Sequence, residues 1–403
     1  MHRKIVEDNF ELKSKNSKNT YEILEINKNN NEVKKTQKHS KIRNPGIDLG
    51  RILAMSAVVI QHINVMSAMK KYGKLKELNI IYAAFNWHIS CFTFISGYVG
   101  YKTAKYSNLL YLWITTFFYS MGINIIFTLF IPKVYKHKFT LMDYFPVLSF
   151  KYWYFTEYFG MYLFLPVINK GIEYITKSQL KATIFSFIVV YVILQDYINP
   201  NFDCFKLQNG NSVLWLLIFY ITGSYFGKYK KENNSCINFI YCIIYIFIYC
   251  FSTYLSIKLQ NYSINPNYQS FKDKFIIFLK LLFIVKNASI LEVLQSVSII
   301  LFLTSIKYNK YFGKIISIIG SSTYAVYIIH CHKIILNNYI RKIFQDKPYN
   351  LTINTIIRII FLSSLKVFLS CTIIDYLRNI LFRLCHIKDF CIFIERLFLK
   401  LFN

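Results

Sequence analysis

Long apolar segments alternate with short basic or polar segments along most of the chain. Each apolar segment has about the length that a helix needs to cross a hydrocarbon core ~30 Å thick. The pattern therefore predicts an all-α, polytopic integral membrane protein with about ten transmembrane helices. The predicted spans are residues 47–68, 80–101, 108–131, 150–169, 180–198, 212–228, 236–257, 287–306, 313–334 and 350–374.

The remaining segments divide the chain into a membrane domain and two flanks. Residues 1–41 are rich in Lys, Asn and Glu and predict a polar cytoplasmic tail. Residues 42–378 form the predicted transmembrane domain. Residues 379–403 mix basic and large apolar side chains, which is typical of an amphipathic helix at the membrane interface. Residues 271–285 have the same character and predict a second interfacial helix.

Charge adds an orientation to this picture. The 403 residues carry 48 Lys and Arg against 20 Asp and Glu, for a net charge of +28. Basic loops suit anionic lipid headgroups and anionic substrates, whereas the scatter of charge among apolar spans argues against nucleic-acid binding. The basic tail before the first span predicts a cytoplasmic amino terminus in the cell (plasma or inner) membrane. Basic residues on the far side of that span weaken the charge contrast: Lys70, Lys71, Lys74 and Lys76.

Cysteine and histidine do not form a metal-binding pattern. The nine cysteines include no C-x-x-C pair, and most of those in the spans are expected to behave as small apolar residues. His330, Cys331 and His332 are adjacent, but residues i and i+2 of a helix point in different directions. The sequence therefore predicts neither a disulfide framework nor a metal site.

The first predicted span contains the chain's most informative polar residues. Asp48, Arg51 and His62 share one face of a helix, and Arg51 and His62 lie about 16 Å apart along its axis. Ionisable groups inside a bilayer are costly and mark functional sites by default. The alternative interpretation is an ion pair at the helix start and one hydrogen-bonded packing histidine.

Six motifs, in order over residues 43–378, resemble those of the membrane acyltransferase-3 family. The first of them looks most similar to the branch that includes the enterobacterial common antigen O-acetyltransferase. The motifs are R-N-P-G-I-D-L-G-R-I-L-A-M with V-V-I-Q-H (43–62), F-T-F-I-S-G-Y (92–98), Y-W-Y-F-T-E-Y-F-G with a later proline (152–166), the span 212–223, Y-A-V-Y-I-I-H (324–330) and D-Y-L-R (375–378).

The resemblance implies an enzyme that moves an acyl group, usually acetyl, from acetyl-CoA to a hydroxyl. The acceptor would be a cell-surface or secreted polysaccharide or a lipid-linked glycan, and no permanently bound cofactor is expected. His62 matches the histidine of the family's first helix and is the expected general base, because an unperturbed imidazole titrates near pH 6.5. The rival hypothesis is a glycan or small-solute transporter that uses buried charges as an ion relay, although no internal repeat supports it.

The donor site is expected at the cytoplasmic end of the first helix. Asp48 and Arg51 match the family's D-x-x-R, either as an architectural ion pair or as a site where Arg51 meets CoA phosphates. Many relatives carry R-x-x-R near the second-to-third helix junction, where this chain has Lys102 and Lys105. Lysine keeps the charge but lacks the planar fork that holds phosphate at two points.

The acceptor site is expected from later helices. Trp153 and Tyr154 are either interfacial anchors or sugar-stacking residues, while Glu157 lies inside the fourth span and needs a partner or a proton. His330 matches a family position. Two further motifs have structural interpretations that we favour: Ser96–Gly97 as a helix-packing point, and Asp375 with Arg378 as the end of the last helix.

Overall fold

The computed structural model describes residues 44–73, 75–101, 105–131, 140–195, 202–229, 235–261 and 289–402. Within these ranges every regular element is a helix and none is a strand, which confirms the all-α prediction. The predicted tail of residues 1–41 and the predicted interfacial segment 271–285 lie outside the described residues.

Thirteen main helices follow in chain order through the described residues. They are α1 Pro45–Ile63, α2 Lys76–Phe85, α3 His88–Gly100, α4 Tyr106–Phe130, α5 Trp153–Tyr174, α6 Lys177–Phe187, α7 Val213–Tyr229, α8 Ser235–Asn261, α9 Ile290–Ser305, α10 Lys310–Ser321, α11 Thr323–His330, α12 Ile353–Leu384 and α13 Ile387–Lys400. Two of them continue as π-helix, α1 through Asn64–Ala68 and α6 through Ile188–Leu194. Short helical turns occur at Leu141–Tyr144, Gln208–Gly210, Lys333–Asn338 and Ile340–Lys342.

Seven helical segments of the described chain are long and apolar enough to cross a membrane. Helices also form at the predicted spans 150–169, 212–228 and 287–306, as α5, α7 and α9, but these do not meet both conditions. At 17 and 16 residues, α7 and α9 are short, and α5 carries several charged residues. The structure thus supports a polytopic membrane protein without confirming the number ten.

Apolar side chains cover the outer surface of several long helices. Leu129 of α4, Phe247 of α8 and Ile373 of α12 are each more than 60% exposed. So much exposed apolar area would be unfavourable in water, but it matches the hydrocarbon of a bilayer. The long helices are therefore suited to lipid contact along their outward faces.

Helix α1 lies at the centre of the bundle. It packs against α2, α3, α9, α10, α11 and α12. Ala54, Met55, Val59 and Ile63 are buried along its length, as expected of a helix that is apolar nearly all round. Every polar group on α1 must consequently find a partner inside the protein or face a cavity.

Helix α12 is longer than predicted. Its 32 residues run to Leu384, so the interpretation of Asp375 and Arg378 as the end of the last helix is wrong. Both side chains are buried. Asp375 Oδ1 accepts from Tyr119 Oη at 2.8 Å and from Arg378, and Arg378 Nη1 donates to Tyr111 Oη at 2.8 Å. The pair therefore joins the last third of α12 to α4 and does not stop the helix.

Helices α3 and α7 cross with their backbones in contact. A Cβ atom at Gly97 would lie 1.9 Å from the carbonyl oxygen of Tyr220, and one at Gly223 would lie 2.0 Å from that of Phe94. Small residues that allow such close approach are the usual basis of helix packing in membranes. The crossing supports a packing role for Gly97. The neighbouring Ser96 contacts α5 through a hydrogen bond between its Oγ and Tyr158 Oη.

The variant Gly97→Ala tests this crossing. Its methyl group overlaps the backbone of Tyr220, so we expect a loss of about 1–3 kcal/mol in stability, the usual cost of overpacking. Gly100→Ala is the matched control, because no atom of the described residues lies within 4 Å of a Cβ there. Thermal unfolding in detergent measures both. Equal melting temperatures for the two variants would contradict the close contact.

Candidate functional site

A cavity of about 410 Å³ lies between α1, α3, α5 and α11. Arg51 and His62 both line it, so the face of α1 predicted to be functional does face open space. Most of the other lining side chains are aromatic or amide-bearing. They include Gln61, Tyr82, Asn86, His88, Phe92, Trp153, Tyr154, Phe155, Tyr158, Asn211, Tyr324 and Tyr327.

Arg51 is held by a buried carboxylate. Its Nη1 donates to Asp48 Oδ1 at 2.8 Å, with Asp48 fully buried and the Arg51 side chain 24% exposed. The second carboxylate oxygen of Asp48 accepts from Ser317 Oγ of α10 at 3.0 Å. Asp48 thus joins two helices and orients the guanidinium but does not line the cavity itself. The ion pair is therefore present and leaves Arg51 facing the cavity, while contact of Arg51 with CoA phosphates stays a prediction.

His62 lies where α1 changes from α- to π-helix. The π-turn Asn64–Ala68 begins two residues later, and π-turns within helices are frequent at functional sites. The imidazole is half-buried and lines the cavity. Its position about three turns from Arg51 places the two groups well apart along the cavity wall.

His330 lies behind His62 and determines its tautomer. His330 Nδ1 is 2.6 Å from the carbonyl oxygen of Val326, which can only accept, so this nitrogen carries a proton. When both imidazoles are neutral, His330 Nε2 then accepts from His62 Nδ1, 3.1 Å away. His62 Nε2 is left with the lone pair that a general base needs.

The same cluster could hold a metal ion. Cys331 Sγ lies 3.7 Å from His62 Nδ1 and 3.4 Å from His330 Nε2. One ligand atom from each of the three residues falls within 4.8 Å of the others. The sequence predicted no metal site from residues 330–332, because residues i and i+2 of a helix point in different directions. It gave no sign that His62 lies beside them. His332 is separate, and its Nδ1 accepts from the amide of Ile334.

The predicted acceptor residues have three different placements. Trp153 and Tyr154, at the start of α5, line the cavity, and Tyr154 Oη is 3.0 Å from Thr93 Oγ1. Glu157 does not line it, although it was predicted to bind substrate. Its carboxylate interacts instead with the amide of Val213, the first residue of α7, where a helix terminus favours negative charge.

His330 also differs from its prediction as a substrate-binding residue. It is fully buried and does not line the cavity. Because the ring bonds Val326 on one side and His62 on the other, no nitrogen is available to a substrate in the cavity. The structure gives it a positioning role toward His62.

The two predicted lysines at the donor site are only partly described. Lys102 lies outside the described residues. Lys105 precedes α4, and its backbone amide and carbonyl both bond Tyr162 Oη, at 3.1 and 3.0 Å. Its side chain is exposed and does not line the cavity. A role for either lysine in donor binding stays a prediction.

Two amide side chains that the sequence did not identify as site residues have unsatisfied oxygens at the cavity. Gln61 donates from Nε2 to the carbonyl of Tyr82 at 2.7 Å, while its buried Oε1 has no hydrogen-bond partner among the described residues. Asn211 Oδ1 is buried and unpartnered in the same sense. Since buried polar atoms are nearly always hydrogen-bonded, both oxygens are suited to accept from a ligand.

Comparison with known proteins identifies the family. The sequence model of a family described as an acyltransferase domain, acyltransferase family 3, matches residues 44–375. The chain belongs to this family. The comparisons with curated proteins and with solved structures give no match. The match includes Asp48, Arg51, His62 and His330, and membership favours a membrane acyltransferase over the transporter hypothesis.

His330→Leu and His330→Gln test the positioning role. Leucine leaves the His62 Nδ1–H group without a buried acceptor, which costs about 1–3 kcal/mol and should lower kcat of acyl transfer roughly tenfold to a hundredfold. KM for the acyl donor should stay unchanged, since His330 does not line the cavity. His330→Gln supplies an acceptor oxygen and should restore most of the rate. Equal rates for the two variants would contradict the hydrogen-bond interpretation.

Elemental analysis of the purified protein and of Cys331→Ala separates hydrogen bonding from metal binding. If His62 and His330 are joined only by a hydrogen bond, we expect the wild type to be active without metal and Cys331→Ala to stay active. One bound metal ion per chain, lost together with activity in Cys331→Ala, would replace that interpretation with a metal centre.

Proposed function

We propose that the protein is an integral-membrane O-acetyltransferase. It transfers acetyl from acetyl-CoA to a hydroxyl of a cell-surface or secreted polysaccharide or of a lipid-linked glycan. One observation carries this proposal. Arg51 and His62 line the same cavity at separate positions, and Nδ1 of His62 is hydrogen-bonded to His330, which does not line that cavity. The sequence resemblance to the branch containing the enterobacterial common antigen O-acetyltransferase supports the acetyl donor and the glycan acceptor.

The cavity suits an extended donor with a charged end. A guanidinium is a strong partner for phosphate, and Arg51 is partly exposed and fixed in orientation by Asp48. In the proposal the CoA phosphates bind at Arg51, while the acyl-pantetheine arm extends toward His62. The pantetheine arm carries secondary amides whose N–H groups need acceptors. The unsatisfied oxygens of Gln61 and Asn211 are suited to that role.

The reaction needs one base and no net change in protons. As the acceptor hydroxyl oxygen attacks the thioester carbonyl carbon, its proton passes to His62 Nε2. The carbon–sulfur bond then breaks, the ester forms on the acceptor, and the proton passes from His62 to the leaving thiolate of CoA. His330 stabilises the transient charge on His62 by accepting from Nδ1–H throughout, as the third member of a triad does.

Aromatic side chains support a sugar acceptor. Trp153, Tyr154 and Tyr327 line the cavity near one another, with ring centroids of Tyr154 and Tyr327 6.1 Å apart. Such faces suit the apolar side of a sugar ring, and their hydroxyl groups can bond its oxygens. We further propose the cell (plasma or inner) membrane as the location, with the Arg51 end cytoplasmic. The basic tail before α1 supports this orientation.

Replacing the base tests the chemistry. His62→Gln should remove nearly all transfer, since loss of a general base typically costs about 10²–10⁴-fold, while KM for acetyl-CoA changes little. Mass spectrometry of glycans from cells that carry the wild-type gene, His62→Gln or no gene measures the product. The expected difference is one acetyl group per repeat, present only with the wild type. Acetylation by His62→Gln above about a tenth of the wild-type level would contradict the role of His62.

Replacing Arg51 tests the donor site. Arg51→Ala removes hydrogen bonds to a charged group, each worth about 1.5–3 kcal/mol, and should raise KM for acetyl-CoA roughly tenfold or more with little change in kcat. With acetyl-pantetheine, which lacks the nucleotide phosphates, the variant and the wild type should behave alike.

Two further variants keep the donor test informative. Lys314→Ala removes an exposed cation from α10 that does not line the cavity, and it should leave both donors unaffected. Arg51→Lys keeps the charge opposite buried Asp48 and should show an intermediate KM, since lysine cannot make a two-point contact. If KM for acetyl-CoA and for acetyl-pantetheine rise equally in Arg51→Ala, Arg51 does not bind the phosphates.

A further inference from the structure

One tyrosine in the wall of the first cavity, which Arg51 and His62 line, differs from its neighbours in how its hydroxyl is bonded. Three of the lining tyrosines have a hydroxyl partner on another helix: Tyr154 with Thr93, Tyr158 with Ser96, and Tyr324 with Thr116. Tyr327 also lines the cavity and is only 7% exposed, but its hydroxyl has no hydrogen-bond partner among the described residues. Because buried polar atoms are nearly always hydrogen-bonded, this hydroxyl is suited to bond a ligand in the cavity.

The surroundings of this hydroxyl leave its proton available. The Tyr327 oxygen interacts with the backbone N–H of Tyr154, at a geometry short of a hydrogen bond. Tyr154 is the second residue of α5, so its amide has no acceptor within the helix. An N–H group can only donate, and it therefore engages a lone pair of the Tyr327 oxygen and not the proton. The O–H group of Tyr327 can consequently donate to a ligand.

The start of α5 also favours negative charge at this position. The first three residues of this 22-residue helix, 153–155, line the cavity, so its N-terminus faces the open space. Unpaired N–H groups and the helix dipole give such a terminus a positive potential. None of the described residues that line the cavity is acidic. A negative charge beside the Tyr327 hydroxyl would thus be stabilised by two kinds of donor and opposed by no carboxylate of the lining.

The helix that carries Tyr327 runs in the same direction as α1. Helices α10 and α11 follow one another as a single apolar segment, Lys310–His330. Near the start of this segment, Ser317 bonds Asp48, and at its end His330 contacts His62. Earlier residues of α11 therefore lie nearer the Arg51 end of the cavity than His330 does.

Tyr327 consequently lies next to His62 on the side of Arg51. It precedes His330 by three residues, or about 4.5 Å along the helix, and the two ring centroids are 6.4 Å apart. In the proposed function the acyl-pantetheine arm extends from Arg51 toward His62. The thioester would then reach the imidazole beside the Tyr327 hydroxyl.

We propose that the hydroxyl of Tyr327, with the first turn of α5 behind it, binds the oxyanion that forms during acyl transfer. As the acceptor oxygen attacks the thioester carbon, the π electrons of the carbonyl move to its oxygen, and Tyr327 donates a hydrogen bond to this oxygen while keeping its own proton. The electrons return when the carbon–sulfur bond breaks, and the acceptor proton still passes through His62 to the thiolate of CoA. This inference rests on the proposed acetyl transfer, and it leaves the ring of Tyr327 to face the acceptor.

The variant Tyr327→Phe removes only the hydroxyl. Loss of one oxyanion donor should lower the maximal rate about 10²–10³-fold, with little change in KM for acetyl-CoA, because the bond is strongest in the transition state. The measurement is transfer of labelled acetyl from acetyl-CoA to the glycan of membrane vesicles from cells that express each variant.

Tyr152→Phe is the matched control. Tyr152 is 2% exposed, its hydroxyl also has no partner among the described residues, and its ring centroid is 6.1 Å from that of Tyr327. It lines a second, separate cavity and not the first. The same substitution there should leave the rate unchanged.

Infrared difference spectroscopy provides a readout that does not require transfer. Acetyl-CoA with an isotope label at the thioester carbonyl carbon is bound, without acceptor, to the full-length protein in nanodiscs. A hydrogen bond to the carbonyl oxygen lowers its stretching frequency, so the wild type should shift this band downward and Tyr327→Phe should abolish the shift. Tyr152→Phe and His62→Gln should keep it, because both retain the donating hydroxyl.

The outcomes separate this inference from the proposed function. An unchanged rate in Tyr327→Phe, or equal losses in Tyr327→Phe and Tyr152→Phe, would overturn the oxyanion role and leave the acetyltransferase intact. A slower Tyr327→Phe with the wild-type carbonyl frequency would also overturn it, because the hydroxyl would then act on the acceptor. A carbonyl shift that depends on Tyr327, in a protein that acetylates no glycan, would overturn the proposed acceptor and retain the oxyanion-binding hydroxyl.

Discussion

The cost of an unpaired polar group inside a membrane governs the arrangement of this protein. Helix α1 is enclosed by six other helices and carries Asp48, Arg51, Gln61, His62 and Asn64 among its apolar residues. In hydrocarbon each of these would be strongly unfavourable. Four of them are paired within the protein, Asp48 with Arg51 and Ser317, Gln61 with the backbone of α2, and Asn64 with the carbonyl of Leu78. Because these bonds join α1 to its neighbours, the same pairing holds the bundle together.

His62 is paired with a neighbouring side chain through one of its two ring nitrogens. Its Nδ1 contacts another imidazole, His330, whose own orientation is set by a backbone carbonyl. A carboxylate in the same place would add a buried charge to the hydrocarbon region, whereas a neutral imidazole orients the base without one. This is a physical reason for a His–His pair inside a membrane bundle.

Two cavities in the described part of the bundle differ in the number of cations that line them. Of the 22 described residues that line the first cavity, eight are Phe, Tyr or Trp, and Arg51 contributes a guanidinium. The second, of about 330 Å³, has three cationic groups among its nine described lining residues, those of Lys151, Lys333 and Arg341.

The sequence by itself determined the features that depend on one helix or on composition. Apolar segment length predicted an all-α membrane bundle, and the eleven-residue spacing on α1 predicted that Arg51 and His62 share a face, because helix geometry is local. The motif 324–330 indicated His330 and predicted that it binds substrate, but not that it lies against His62. Only the tertiary structure could bring Cys331 and His330 against His62 and direct Glu157 to the start of α7. The extension of α12 past Asp375 and Arg378 and the separation of two cavities were also seen only in the structure. These features depend on how helices distant in sequence pack side by side. Packing among apolar helices in lipid is decided by close backbone contacts, such as those at Gly97 and Gly223. The hydrophobic periodicity of the sequence does not encode such contacts.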